Sequence, residues 1–183
     1  MQVVLASRSP QRREILERLG IDFEVRVPEV EELTRGEPEA VVLENARRKA
    51  QAVAAPHALT IGCDTEVLLD GQVLGKPGDE GQAREYLERL SGRSHSVLSG
   101  LVLIGPEDGE ERSGVARSEV TFHDLDPAAI DRYSGTGEWR ERAGGYAIQG
   151  FGATLVASVR GDISNVIGLP VGLLLDLAPE VVR

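Results

Sequence analysis

The sequence contains one cysteine, Cys63, so no internal disulfide can form and a reducing compartment suits the chain. Aromatic residues make up only 4%, which predicts an aliphatic core. No long Lys/Arg-rich run occurs, and the formal net charge is −10. That disfavours a nucleic-acid polymer as partner, because such affinity comes largely from cations laid along a phosphate backbone. It leaves room for a small phosphate ligand, which a few local cations and one metal ion can hold inside an acidic protein. No apolar stretch approaches membrane-spanning length, and the opening apolar run is too short for a signal peptide. The expectation is a cytoplasmic protein that engages no membrane.

What is present is enough for one sizeable core: 183 residues, 41% of them hydrophobic, with Gly 21 and Pro 9 implying many tight turns. A strand over Val3 to Ala6 runs into Ser7-Arg8-Ser9-Pro10, where Ser9 suits an N-cap and Pro10 the first helical position. Ile15, Leu16 and Leu19 follow at helical spacing, and Gly20 closes the helix. A strand from Phe23 to Val27 precedes the acidic Glu31-Glu32 pair. A second helix is expected from Pro38 to Ala54, with Val42, Ala46, Ala50 and Val53 on one face. Leu59 to Leu69 reads as a strand, and Asp70-Gly71 before Gln72 is a strong hairpin signal. Extended backward, that register sets Thr65 opposite Lys76 and brings Asp64 close to Lys76. Asp79 and Gln82 suggest a helix start, with the helix ending at Leu90. Strands over Ser96 to Ile104, Ala116 to Phe122 and Thr154 to Val159 and helices over Pro127 to Tyr133 and Pro170 to Leu177 complete a mixed α/β pattern.

Four segments carry chemistry. In Ser7 to Arg13, a strand that turns straight into a helix start exposes unpaired N–H groups at the positive dipole end, and the serines and arginines add donors for phosphate oxygens. An ordinary capped helix with a solvated cationic turn is the plainer alternative. Asp64, in the apolar run Ile61-Gly62-Cys63, is costly to bury unless paired or bound to metal. Lys76 offers a cation, and Glu31-Glu32 offer oxygen ligands for a hard ion such as Mg²⁺. Lys49 lies on the inward face of the second helix, where spacing alone favours a lysine that snorkels to solvent. The glycine-rich Ala143 to Gly152 segment reads as a strand entry in which Gln149 presents both donor and acceptor to a base edge. Cys63 reads as buried filler, and His57, His95 and His123 show no metal-ligand spacing. P-loop and GxGxxG spacings are absent.

Taken in order, these segments resemble the Maf family of nucleotide pyrophosphatases over nearly the whole chain. The matching pieces include Leu5-Ala6-Ser7-Arg8-Ser9-Pro10 with Arg12, Lys49-Ala50, Gly62-Cys63-Asp64-Thr65, Leu74-Gly75-Lys76-Pro77, Ile148-Gln149-Gly150 and Asn165 to Pro170. The resemblance implies a single Maf-like domain over residues 1–183. Its expected fold is two-lobed α/β, a mixed sheet with flanking helices and a central cleft, similar to inosine-triphosphate pyrophosphatases. It implies hydrolysis of a nucleoside triphosphate between the α and β phosphates with Mg²⁺ or Mn²⁺, and it suggests a homodimer. Asp64 is then the proton acceptor and, with Glu32, a metal ligand. Ser7, Arg12, Lys49 and Lys76 bind phosphates. Gln11, Thr65 and Gln149 fall at the specificity positions: Thr65 and Gln149 fit the branch acting on dTTP and UTP, whereas Gln11 replaces the arginine usual there. Base preference stays open at that point, with dTTP, UTP and modified pyrimidines favoured. The alternative activity is a nucleotide-binding regulator of septum formation without turnover.

Overall fold

The computed structural model describes residues 2–106 and 109–182. Among the described residues seven strands form one mixed sheet in the order β2-β1-β3-β5-β6-β7, with β4 paired to β3. They are β1 (Gln2–Ala6), β2 (Phe23–Arg26), β3 (Ala58–Leu69), β4 (Gln72–Leu74), β5 (Ser94–Ile104), β6 (Glu111–Phe122) and β7 (Val156–Arg160). The helices are α1 (Pro10–Arg18), α2 (Pro38–Val53), α3 (Glu80–Leu90), α4 (Pro127–Thr136), α5 (Ile163–Ile167) and α6 (Val171–Leu177). The expected mixed α/β class is the observed one. Among the described residues no helix is long and apolar enough to cross a membrane.

The chain divides into two compact units. The first comprises Met1–Thr65, Ser99–Ala116 and Gly168–Arg183. Here β1 pairs in parallel with both β2 and β3, the latter through Leu5↔Ile61 and Ala6↔Gly62. Pleating sends alternate residues to opposite faces. Val3, Leu5, Leu59, Ile61, Cys63, Leu101 and Leu103 pack on one side with Leu16 of α1 and Leu174 of α6. On the other side Val102 meets Ala46 and Ala50 of α2. Helix α2 lies unusually close to the strands, because Gly62 and Gly100 have no side chain to hold it off. A β-carbon at Gly62 would drive into the Ala46 carbonyl, and one at Gly100 into that of Val42. Gly62 is therefore a site of close backbone approach.

Helix α1 stops in a Schellman turn: Gly20 (φ +70°) donates to the Glu17 carbonyl, and Ile21 donates to that of Leu16. Its start departs from expectation in one respect. Ser9 occupies the N-cap position but makes no capping bond, and its hydroxyl donates instead to Gln11 Oε1 at 3.0 Å.

The second unit comprises Glu66–Leu98 and Arg117–Ile167. The Asp70-Gly71 turn has both central φ angles positive (+52° and +75°), as a type I′ hairpin requires, and Leu69 faces Gln72. The ladder ends at Val67↔Leu74, so the pairing of Thr65 with Lys76 is not formed. Beyond β4 the Gly75 carbonyl accepts from Gly144 N at 3.1 Å, and Pro77 has no N–H to extend the ladder. The Asp79 carboxylate caps α3 as expected, accepting from Gln82 N at 2.8 Å.

Two expectations are corrected here. The aliphatic core holds for the first unit, but the second gathers Phe122, Tyr133, Trp139 and Tyr146 into its interior. The glycine-rich segment is no strand entry: Ala143–Gly145 and Gly150–Leu155 are 3-10 turns, and the positive φ of Gly144, Gly145 and Gly150 takes the backbone out of the extended region a strand needs. The strand expected from Thr154 accordingly starts at Val156.

Candidate functional site

Strand parity decides what Asp64 and Thr65 can reach. Asp64 lies on the α2 side of β3 and Thr65 on the α1 side. Asp64 is buried, and its Oδ1 accepts from Lys49 Nζ at 2.6 Å. Its Oδ2 accepts from Asn45 Nδ2 at 3.2 Å. Lys49 also reaches Glu32 Oε1 at 2.8 Å, so one ammonium bridges two carboxylates. Asp64 and Lys49 are both enclosed (side chains 9% exposed), whereas Glu32 is 52% exposed and opens the cluster to solvent. The lysine does not snorkel: its charge is consumed inward, where an unpaired Asp64 would be expensive. The cation that sequence spacing assigned to Asp64, Lys76, pairs instead with Glu141 at 3.1 Å, an exposed contact within the second unit.

On the α1 side, Arg12 is buried although it stands in the first turn of a helix, where a cation is disfavoured by the dipole. Its guanidinium explains the placement. Nε donates to the Gly168 carbonyl at 2.8 Å, Nη1 to Ser7 Oγ at 3.2 Å and Nη2 to Thr65 Oγ1 at 3.3 Å. A planar fork satisfies three acceptors at once, which a lysine cannot do. Ser7 Oγ also accepts from Ser9 N at 3.1 Å, and Thr65 Oγ1 is paired with Ser99 Oγ at 2.8 Å. With no side-chain cap on α1, its first-turn N–H groups stay available to an anion beside Ser7 and Arg12.

Of the residues expected from sequence, Asp64, Lys49 and Glu32 form one cluster and Ser7, Arg12, Thr65 and Gln11 adjoin the turn into α1. Lys76 and Gln149 belong to the second unit, and Gln149 is exposed at the start of the Gly150–Leu155 turn. Glu31 contributes only its carbonyl, to Arg48 Nη1 at 3.1 Å. Cys63 is fully buried and burial pushes its thiol pKa up, so it is no nucleophile.

Sequence reasoning missed Asn45, Ser99 and the Gly168 carbonyl. Asn45 was accessible through one signal, since it stands four residues before Lys49 and therefore on the same helix face. Gly168 was not, because its carbonyl gathers Arg12, Cys63 and Thr65 from more than a hundred residues away.

Asp64 and Glu32 suit a hard divalent cation. Their oxygens converge on one point, now held by Lys49 Nζ, and Mg²⁺ typically takes one or two carboxylates and completes its shell with water and substrate phosphate. Among the described residues there is no cluster of three or more His, Cys, Asp or Glu that could hold a metal ion.

Fold and site together define a mixed α/β protein with a buried Asp64–Lys49 pair joined by the half-exposed Glu32, and an uncapped helix start on the other face of β3. The chain belongs to the Maf family: the family model described as Maf-like protein matches residues 2–181. Its relatives include a dTTP/UTP pyrophosphatase of Syntrophus aciditrophicus, 43% identical over 173 residues, spanning 92% of this chain and 84% of the relative. The protein of the same name from Deinococcus radiodurans is 44% identical over 96% of this chain and 91% of its own length. That of Symbiobacterium thermophilum is 46% identical, over 92% and 88%. Among solved structures, the Ham1 protein of Staphylococcus aureus aligns with a TM-score of 0.48 and 16% identity, over 68% of this chain and 73% of that one.

Proposed function

We propose that the chain hydrolyses nucleoside triphosphates, dTTP and UTP foremost and modified pyrimidine triphosphates with them, to the monophosphate and pyrophosphate. The observation that carries this reading is Asp64, a buried carboxylate held by Lys49 and Asn45 at one oxygen each. An ionised carboxylate has about four lone-pair sites, so two remain to take a proton from water or to ligate a metal. Asp64 acts as the proton acceptor: the water oxygen bonds to phosphorus of the α–β anhydride, the bridging P–O bond breaks, and one water proton passes to Asp64. Lys49 neutralises charge beside it, while Ser7, Arg12 and the first-turn N–H groups of α1 bind phosphate oxygens. When bound through Asp64 and Glu32, Mg²⁺ or Mn²⁺ supplies further charge neutralisation on those oxygens. Phosphate binding by Lys76 and base reading by Gln149 rest on the family pattern, and Lys76→Ala and Gln149→Ala test them singly. Thr65 and Gln11 complete the specificity set. Gln11 Oε1 accepts from Ser9, which leaves its amide N–H₂ to donate to a base carbonyl. The cytoplasm supplies this substrate class and is the proposed location. A homodimer is the proposed assembly, for which light scattering on the purified protein is the check.

The test is a panel of canonical and modified triphosphates incubated with Mg²⁺ or Mn²⁺, products resolved by chromatography, with Asp64→Asn in parallel. The expected result is monophosphate plus pyrophosphate, reduced roughly 10²–10⁴-fold in the variant. Orthophosphate as the first product would overturn the bond assignment. No turnover of any triphosphate with either metal would overturn the hydrolase reading and favour a nucleotide-binding regulator.

A further inference from the structure

One side chain of the Asp64 cluster reaches beyond the carboxylate to the segment that carries Glu32. Asn45 on α2 is 1% exposed and spends its amide on two different segments. Its Oδ1 accepts from Leu33 N at 2.7 Å, and its Nδ2 donates to the Leu33 carbonyl at 3.0 Å. The same Nδ2 donates to Asp64 Oδ2 at 3.2 Å. Leu33 follows Glu32 directly in the chain and lies in a stretch with no helix or strand of its own. The paired bonds to Leu33 N and O therefore fix the backbone that presents Glu32, while the third bond fixes the rotation of the Asp64 carboxyl. One amide thereby sets the separation and mutual orientation of the two carboxylates that meet at Lys49 Nζ.

We infer that Asn45 is a positioning residue for the reaction, holding Glu32 and Asp64 in the arrangement that a divalent cation and the attacking water need. This role rests on the assignment of Asp64 and Glu32 to triphosphate hydrolysis. An amide is the side chain that fits. It offers acceptor and donor together to the backbone of one residue and still has an N–H for the carboxylate, which neither an acid nor a hydroxyl does. Burial makes each lost bond count, because the groups released have no water to turn to. Groups that orient a metal-binding carboxylate typically change metal affinity or activity about 10–100-fold when removed.

Two variants separate positioning from mere folding. Asn45→Ala deletes all three bonds. Asn45→Asp keeps an acceptor for Leu33 N but donates nothing to Asp64, and it answers the question if the alanine variant fails to fold. With the triphosphate that the wild-type protein turns over best, kcat is expected to fall about 10–100-fold in a variant that retains wild-type circular dichroism, with KM within about threefold. Mn²⁺ binding, followed through the paramagnetic resonance of the free ion, should weaken about tenfold. A folded variant with kcat and Mn²⁺ affinity within about threefold of wild type overturns the role. An inert wild-type protein overturns the hydrolase reading instead, and an Asp64→Asn variant of full activity overturns the assignment of Asp64 to the reaction. The Mn²⁺ titration then decides alone whether Asn45 organises the two carboxylates, and unchanged binding overturns that too.

Discussion

At the scale of single residues, Lys49 holds the site together. Its ammonium neutralises two carboxylates, one of them enclosed, and removing it strands Asp64 as an unpaired buried charge. Lys49→Met should cost about 3–5 kcal/mol of stability. Urea unfolding of the variant checks this, and Asp64→Asn should cost less because Lys49 still keeps Glu32. A double variant, Lys49→Met with Asp64→Asn, should recover part of the loss, since the stranded charge is gone. If Lys49→Met alone leaves the unfolding midpoint unchanged, Lys49 is not neutralising a buried charge. Asp64 was legible as functional in the sequence because a carboxylate within an apolar run must have a partner. The partner was not legible: Lys76 stood close through the hairpin, but the ladder stops three pairs from the turn.

At the scale of elements, the site depends on how near α2 lies to β3 and β5. Lys49 and Asn45 reach Asp64 only because Gly62 and Gly100 let the helix backbone descend onto the strands. Gly62→Ala places a methyl against the Ala46 carbonyl and within 2.8 Å of the Ala50 β-carbon, and backbone cannot step aside as a flexible side chain would. A loss of about 1–3 kcal/mol is expected, read from far-UV circular dichroism during urea unfolding, with turnover reduced alongside it. An equivalent stability in Gly62→Ala would show that the helix rides higher than described. Neither glycine advertised this contact. A glycine inside a strand pattern signals a bulge or a close approach, and only the packing distinguishes them.

At the scale of the whole molecule, acid stability turns on the aromatic interior of the second unit. His95 is buried against Phe122 and Tyr146, with Nε2 at 2.7 Å from the Tyr146 hydroxyl and no partner for Nδ1. Burial pushes its pKa down from 6.5 to about 4 and raises that of Tyr146, so neither group ionises near neutrality. An unfolded chain takes up the His95 proton as pH falls through about 6.5, whereas the native state refuses it until about 4. The stability that neutral His95 permits is thus intact above neutrality and drains away across that window, by about 2–3 kcal/mol at its lower end. The only tryptophan, Trp139, sits in the same interior and reports the unfolding of this unit by its fluorescence. Urea midpoints at pH 7 and pH 4.5 should differ clearly for the wild type and much less for His95→Gln. Equal pH dependence in both proteins would remove His95 as the source.

The sequence alone determined the features that depend on a few consecutive residues. The turn from β1 into α1, the Gly20 stop, the span of α2 and the Asp70-Gly71 hairpin follow from proline, glycine and capping chemistry, which acts over four or five positions. It also marked Asp64 as a carboxylate that needs a partner, the arginines of the first turn as donors for phosphate oxygens and Glu31-Glu32 as oxygen ligands. What only the tertiary structure decided is who satisfies whom. Lys49 and Asn45 stand 15 and 19 residues before Asp64. The Gly168 carbonyl lies 156 residues from Arg12. Whether such groups meet depends on the pleat phase of β3, the rotational phase of α2 and the depth to which two glycines let it sink. Each of these is set by packing across the sheet rather than by neighbours along the chain.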